Sequence, residues 1–199
     1  MRGLINSVIK LKKSNVKILV DKRIKEFKAL GKKPSRELFK ELCFCILTAN
    51  STAERCIDVY CRVGNGFLTL SEKQLQKALK KCGARFHTKR ANYIAEARKF
   101  KDKLKWKSRN WLVKNIKGIG YKEASHFLRN TGYDNYAIID FHIIDILAKN
   151  KLIKRPKTLN KNNYLGIEEK LKSLAKKLNL SLAELDLYLW YIETGKILK

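Results

Sequence analysis

Two residues of the chain have the types and the spacing for nucleophilic chemistry, Lys122 and Asp140. Asp140 follows Lys122 by 140 − 122 = 18 positions, a gap that accommodates one helix and a return loop. A neutral amine is a good nucleophile, and a carboxylate can orient it and stabilise a cationic centre. The alternative is a surface lysine together with an aspartate that caps a helix.

A glycine-rich turn, Gly118-Ile119-Gly120, must position the lysine. Helical patterns precede it at 111–115 and follow it at 123–129. Glycine tolerates a positive φ and the close approach of another backbone. Free N–H groups and the helix dipole at the start of the second helix attract an anion such as phosphate and disfavour an ammonium. We therefore predict that Gly118 and Gly120 donate N–H groups to phosphate beside a readily neutral Lys122. An ordinary helix–turn–helix corner remains the alternative.

The charge balance favours a nucleic-acid partner. The chain has 45 Lys and Arg against 18 Asp and Glu, a net charge of +27, spread along its whole length. Such a folded basic surface attracts a polyanion. No long uncharged apolar run or signal peptide is seen, so we expect no membrane and a cytoplasmic, nucleoid-associated protein. With a nucleic acid bound, Lys122 and Asp140 suit attack at the anomeric carbon of a nucleotide, where an aspartate stabilises oxocarbenium character.

The cysteines and histidines do not form a metal-binding pattern. The five cysteines fit buried reduced thiols better than disulfides or ligands, and the three histidines are scattered. We therefore predict no metal site.

Helical periodicity dominates the chain, and proline and strand-type alternation are scarce. We predict an all-α protein of about ten short helices, a single domain over 1–199 built as two helical lobes. The helix–hairpin–helix motif covers about 106–131 and should lie at the seam, because sites form in clefts between lobes. The central catalytic lobe covers roughly 34–130, and the remaining helices come from both chain ends. We expect the first helix to begin at residue 16, the second to begin at Pro34 and end in the polar segment 48–52, and a turn at 64–66. One long helix is expected over 88–104, and capping boxes at Ser71 and Ser181 should start two others.

The hairpin with Lys122, followed by Asp140-Phe141-His142, resembles the helix–hairpin–helix DNA glycosylase superfamily. The segments 47–52 and 83–91 match that family's order, so the likeness spans about 38–147. The small size and the C-terminal segment 185–199 are most similar to the compact archaeal-type 8-oxoguanine DNA glycosylase/AP lyases. Lys117 stands where relatives usually have proline, and the loop before Asp140 also lacks one, so the loop geometry stays open. The four-cysteine iron–sulfur ending of the endonuclease III branch is absent.

The resemblance implies a base-excision repair enzyme that flips out and excises 8-oxoguanine. Lys122 would attack C1′, form a Schiff base and nick the strand by β-elimination, with Asp140 assisting. The implied partner is double-stranded DNA containing an oxidised purine, bound by a monomer without a redox cofactor. Hairpins of this family often bind a monovalent cation through carbonyls, which the sequence leaves open. The alternatives are a glycosylase for another lesion, a non-catalytic helix–hairpin–helix DNA-binding module and a basic RNA-binding protein.

The resemblance and the residue types nominate further site residues. Asn50 matches the wedge that fills the space of the flipped base, against a plain loop asparagine. His142 contacts phosphate or caps its helix. Trp190 and Phe86 are candidate walls for a flipped base, although Trp190 also suits the core. Two candidate hydrogen-bond acceptors for the edge of the base complete the predicted pocket. One is Asp186, which lies four residues before Trp190 and so on the same helix face, and whose alternative is a solvated carboxylate. The other is the terminal carboxylate of Lys199, which the resemblance favours.

Overall fold

The computed structural model describes residues 2–199, and every regular element in this range is helical. Twelve α-helices and one 3₁₀-helix follow one another along the chain, and the prediction of an all-α fold is confirmed. Within these residues no helix is long and apolar enough to cross a membrane. The helices are α1 Arg2–Lys12, α2 Val16–Gly31, α3 Ser35–Thr48, α4 Ala53–Val63, α5 Gly66–Thr69, α6 Glu72–Lys81, α7 His87–Ala97, the 3₁₀-helix Arg98–Lys103, α8 Arg109–Asn115, α9 Tyr121–Asn130, α10 Phe141–Lys149, α11 Lys161–Leu178 and α12 Leu182–Thr194.

Local sequence signals correctly place two helix starts. The Ser71 and Ser181 hydroxyls each accept from the backbone N–H three residues on, and Gln74 and Glu184 reach back to the N-cap amide. Each pair satisfies two amide groups that a helix N-terminus leaves without an intrahelical acceptor. Both predicted capping boxes are confirmed.

Three stretches differ from the sequence prediction. The expected helix over 88–104 is divided into α7 and the 3₁₀-helix, a tightening that is common where an α-helix ends. The turn expected at 64–66 continues directly into the short α5. The prediction begins its first helix at residue 16, whereas the structure adds α1, which buries Leu4 and Val8 one turn apart.

The chain divides into two compact units. We call residues 30–127 the central unit, and residues 2–29 together with 128–199 the terminal unit. In the central unit, α3 is buried at all positions from 41 to 48, with α4, α5, α7 and the 3₁₀-helix packed against it. In the terminal unit, α1, α10 and α11 pack against α12.

Candidate active site

The hairpin between α8 and α9 requires glycine at one of its two glycine positions. Gly118 has φ +78°, and a Cβ placed there would lie 2.3 Å from Cδ2 of Tyr93. Gly120 has no positive φ and precedes the first turn of α9, where its carbonyl accepts from the Ala124 N–H at 2.9 Å. The ring of Tyr93 and the turn therefore fit together closely only when residue 118 has no side chain.

Glu123 occupies the space between the hairpin backbone and the candidate nucleophile. Its Oε2 accepts from the Gly120 N–H at 3.1 Å, and its Oε1 lies 3.6 Å from Nζ of Lys122. The side chain of Glu123 is only 11% exposed and that of Lys122 23%. In this structure the Gly120 N–H, which the sequence assigns to phosphate, is therefore bonded to a carboxylate. Sequence reasoning missed Glu123, although a glutamate three residues after an N-cap is half of a capping box.

Asn50 stands on a tight turn after α3. Ala49 has φ −60° and ψ 118°, Asn50 has φ 52°, and the Ser51 N–H donates to the Thr48 carbonyl at 3.3 Å. These values define a type II turn, whose third residue needs a positive φ and is commonly glycine or asparagine. The Asn50 side chain is exposed, and it is therefore accessible to a partner.

Phe86 presents an accessible ring at the start of α7. It is 51% exposed and has φ 52°. The guanidinium carbons of Arg85 and Arg90 lie 5.3 and 5.7 Å from its ring centroid. Arg90 also donates to the Ala49 carbonyl, so one cation contacts both the turn of Asn50 and the ring of Phe86. Sequence reasoning gave Arg90 no role, although its spacing from Ile94 on α7 puts it on the buried face.

Asp140 and His142 lie at the start of α10, and Trp190 lies on α12, which packs against α10 within the terminal unit. Asp140 is the N-cap of α10, and its Oδ1 accepts from the Ile143 N–H at 2.9 Å. The ring of His142 meets the ring of Trp190 edge-on, with 5.1 Å between centroids. Among the described residues, the buried Nε1–H of Trp190 has no hydrogen-bond acceptor. The structure thus brings the rings of His142 and Trp190 together.

Asp186 and Lys199 differ in how closely they are held. The Asp186 carboxylate accepts from Nη1 of Arg129 at 2.5 Å, and the two side chains are 11% and 4% exposed. Asp186 is therefore a buried, paired group and not a solvated carboxylate. Lys199, at the chain end, is half-exposed. Sequence reasoning assigned no role to Arg129.

All five cysteines are free thiols. Cys43, Cys45 and Cys56 are buried, whereas Cys61 is exposed. Burial raises the pKa of Cys43 and of Cys56. Over residues 2–199, no group of three or more His, Cys, Asp or Glu side chains is placed to hold a metal ion.

Comparison with known proteins gives matches over nearly the whole chain. A family model described as 8-oxoguanine DNA glycosylase matches residues 20–180. The 8-oxoguanine DNA glycosylase/AP lyase of Methanocaldococcus jannaschii is 52% identical, covering 98% of this chain and 99% of that protein. The protein of the same name from Korarchaeum cryptofilum is 47% identical, with 98% of each chain covered.

Solved structures agree with these matches. The Methanocaldococcus jannaschii enzyme in complex with a 15mer DNA containing 8-oxoguanine has a TM-score of 0.95 and 52% identity, covering 98% of this chain and 99% of that one. The 8-oxoguanine DNA glycosylase of Thermotoga maritima has a TM-score of 0.94 and 41% identity, covering 100% and 99%. The resemblance found in the sequence is confirmed. On the strength of the family match and of relatives similar from end to end, the chain belongs to the 8-oxoguanine DNA glycosylase family.

Proposed function

We propose that this chain is a bifunctional DNA repair enzyme that excises 8-oxoguanine from double-stranded DNA and cleaves the strand at the resulting abasic site. Relatives that carry both activities in their name are 52% and 47% identical over nearly their whole length. The observation that carries the proposal is the hairpin itself, which presents Lys122 in the first turn of α9 beside the buried carboxylate of Glu123.

Lys122 supplies the nucleophile in this proposal. The lone pair of Nζ forms a bond with C1′ of the damaged nucleotide while the glycosidic bond breaks, and the base leaves with the bonding pair and a proton. Opening of the sugar ring and loss of the amine protons give an imine. Removal of a C2′ proton then expels the 3′ phosphate, which is the β-elimination that nicks the strand. The Lys122 side chain is 23% exposed, which supports this role because partial burial limits competing hydration.

Asp140 stabilises the positive charge that develops on the sugar as the base departs. Its carboxylate is fixed by the Ile143 N–H at the start of α10, so one oxygen is oriented before the substrate binds. A preoriented charge needs no reorganisation during the reaction, which is the main source of electrostatic catalysis.

Several candidate residues recognise the flipped nucleotide in this proposal. Asn50, exposed on its turn, fills the space that the base vacates, and the exposed ring of Phe86 and the indole of Trp190 offer flat surfaces to the base. The unpartnered Nε1–H of Trp190 is a donor for a polar edge. Lys199 is the proposed contact to the polar edge of the base from the segment that follows α12. Because Arg129 engages Asp186, we assign that carboxylate to the support of α12, which carries Trp190.

The hairpin and His142 anchor the DNA backbone. Gly118 donates its N–H to a phosphate, and the Gly120 N–H becomes available when Glu123 releases it; such contacts fix register without reading sequence. The carbonyls of Ile116 and Gly120 each accept one backbone N–H and keep a second lone pair, which suits a monovalent cation. We further propose a monomer that acts inside the cell on nucleoid DNA, because a net charge of +27 favours that polyanion.

Borohydride trapping tests the nucleophile. The wild-type protein is incubated with a duplex containing one 8-oxoguanine, and borohydride is added to reduce the imine to a stable amine. A covalent protein–DNA band is expected for the wild type and for Lys117→Gln, whose lysine lies in the same hairpin but is 64% exposed and pairs with Glu96. No band is expected for Lys122→Gln.

The same experiment separates the alternatives. A non-catalytic DNA-binding module would shift the duplex in a gel but give no covalent band with 8-oxoguanine or with a preformed abasic site. A glycosylase for another lesion would trap the abasic duplex and leave the 8-oxoguanine duplex intact. Either result from the wild-type protein would contradict the proposal.

A further inference from the structure

Arg90 is a buried cation whose hydrogen bond reaches into the turn of Asn50. It is 4% exposed, its Nη2 donates to the Ala49 carbonyl, and its guanidinium lies 5.7 Å from the centroid of Phe86. Burial lowers the pKa of Arg90 from its ordinary value, yet an arginine keeps its charge in a protein. Removing this charge from water is costly unless its donors are satisfied. Because burying this guanidinium is costly and does not improve solubility, we look for a specific role in the contacts that Arg90 makes.

The bonded carbonyl belongs to the peptide that determines the type of the turn. In a four-residue turn, types I and II differ by a flip of the peptide between the second and third residues, which reverses that carbonyl. Here this is the Ala49–Asn50 peptide, with Ala49 ψ at 118° and Asn50 φ at 52°. A flip to type I would turn the Ala49 carbonyl away from Arg90 and bring Asn50 to a negative φ. The direction of the Asn50 side chain would then change.

Two further hydrogen bonds lie at the C-terminal end of α3, and neither of them involves the Ala49–Asn50 peptide. The Cys56 thiol donates to the Leu47 carbonyl at 3.1 Å, and the Thr48 hydroxyl donates to the Cys45 carbonyl at 2.8 Å. Both acceptors precede the turn. Among the described residues, the hydrogen bond from Arg90 is thus the side-chain contact that distinguishes the two orientations of the Ala49–Asn50 peptide.

We infer that Arg90 is a positioning residue that holds Asn50 in the orientation for entering the DNA and, through the same guanidinium, steadies the ring of Phe86. This inference rests on the proposed function, because the roles of Asn50 and Phe86 belong to it. Arg90 itself contacts no substrate atom in this scheme. It couples the wedge that replaces a flipped base to a surface on which that base stacks, so its loss should impair base extrusion more than strand cleavage.

Two substrates separate these steps. One duplex contains 8-oxoguanine, and the other has the same sequence with a preformed abasic site, which has no base to extrude or stack. We expect Arg90→Met to slow single-turnover excision of 8-oxoguanine by about ten- to a hundredfold, which is about 1.4–2.7 kcal/mol at 1.36 kcal/mol per tenfold. Cleavage of the abasic duplex should stay close to that of the control.

The control is Arg98→Met. Arg98 lies in the same unit and also binds backbone carbonyls, with Nε 2.9 Å from the Phe67 carbonyl, but it contacts no proposed site residue. It should lower both rates little and in equal proportion. A double-mutant cycle with Asn50→Ala provides a second readout, because residues that act through one another have non-additive effects. Adding Arg90→Met to Asn50→Ala should slow excision by a smaller factor than Arg90→Met does alone, because only its contact with Phe86 remains to be lost.

Arg90→Lys extends the test if the methionine variant folds poorly, since it keeps the charge and one donor. It should excise 8-oxoguanine at a rate between wild type and Asn50→Ala, with the same non-additivity. The inference is overturned if the Arg90 variants slow both substrates in equal proportion, or if their effects add fully to that of Asn50→Ala. A wild-type protein that traps no DNA would instead refute the proposed function, whatever Arg90 does.

Discussion

At the scale of single residues, the pair of Arg129 and Asp186 combines strong burial with a short contact. The guanidinium also donates to Asn130 Oδ1 and lies 4.7 Å from the ring centroid of Phe27. Such a pair gives little net stability compared with apolar residues of the same shape, because desolvation opposes the attraction. Loss of one partner is different, since it removes the short contact and leaves the other charge buried.

We therefore predict that Asp186→Asn lowers the free energy of unfolding by about 3–5 kcal/mol. Glu169→Gln is the matched control, because its pair with Lys172 is 68% and 46% exposed and such surface pairs contribute about 0–1 kcal/mol. Urea denaturation of both variants measures the difference. Equal stability of the two would show that Asp186 does not compensate Arg129.

The sequence led to Lys122 and Asp140 but not to the residues that hold the site. The two candidate catalytic groups were found because their spacing and a glycine turn are local signals. Arg90, in contrast, acts on a carbonyl 41 positions away, and Arg129 pairs with a carboxylate 57 positions away. Such partners follow from the packing of helices, which one sequence does not specify. Glu123 was missed for another reason, since its capping position was readable.

At the scale of elements, the start of α9 joins the hairpin turn to the candidate nucleophile. Glu123 reaches back to the Gly120 N–H and lies beside Lys122. Because it sits at the third position of the helix, it can act as a cap through its oxygen and as a neighbour of the amine through its charge. The two contributions are separable, since glutamine retains the acceptor and loses the charge.

We predict that Glu123→Ala slows covalent trapping and lowers stability by about 0.5–2 kcal/mol, the range for loss of a helix cap. Glu123→Gln should recover the stability and most of the trapping rate. Glu72→Ala, an exposed first-turn glutamate of α6, serves as the control. Single-turnover trapping and thermal unfolding are measured on all three. A glutamine variant as impaired as the alanine variant would mean that the charge, and not the cap, matters.

Element boundaries were predictable where the signal was local. Both capping boxes and the spacing of apolar residues placed α3, α6 and α12 correctly. The end of α7 was not predictable, because the 3₁₀-helix that follows packs against α3 and its Arg98 binds carbonyls near α5. Helical periodicity continues through such a segment in the sequence. Only the tertiary contacts reveal the tighter winding.

At the scale of the whole molecule, the charged surface residues and the apolar interiors of the two units contribute to different properties of the protein. Most ion pairs described in residues 2–199 include an exposed partner, and such pairs contribute little stability. The excess of positive charge instead favours DNA, in a manner that weakens with added salt. Stability therefore comes mainly from the apolar interiors of the two units. Those interiors also contain titratable groups that should respond to alkali.

Buried thiols make the protein less stable as pH rises. Burial raises the pKa of Cys43 well above its ordinary value and raises that of Cys56, whereas an unfolded thiol loses its proton near pH 8.5. Above about that pH the unfolded chain binds fewer protons than the folded one, so the free energy of unfolding falls by up to about 1.4 kcal/mol per pH unit for each thiol. In the terminal unit, burial raises the pKa of Tyr188 to about 12, which extends the decline above about pH 10.

The prediction is tested by denaturant unfolding between about pH 7.5 and pH 9.5, on either side of the ordinary thiol pKa. Cys43→Ala should show a shallower decline than the wild type, because one buried thiol is gone. Cys61→Ala, which removes an exposed thiol, should keep the wild-type slope. Titration of the many lysines affects all three proteins alike and cancels in the comparison. If the free energy of unfolding declined with pH at the same rate in both variants, the buried thiol would ionise equally in the folded and unfolded chain. That result would contradict the burial of Cys43 on α3.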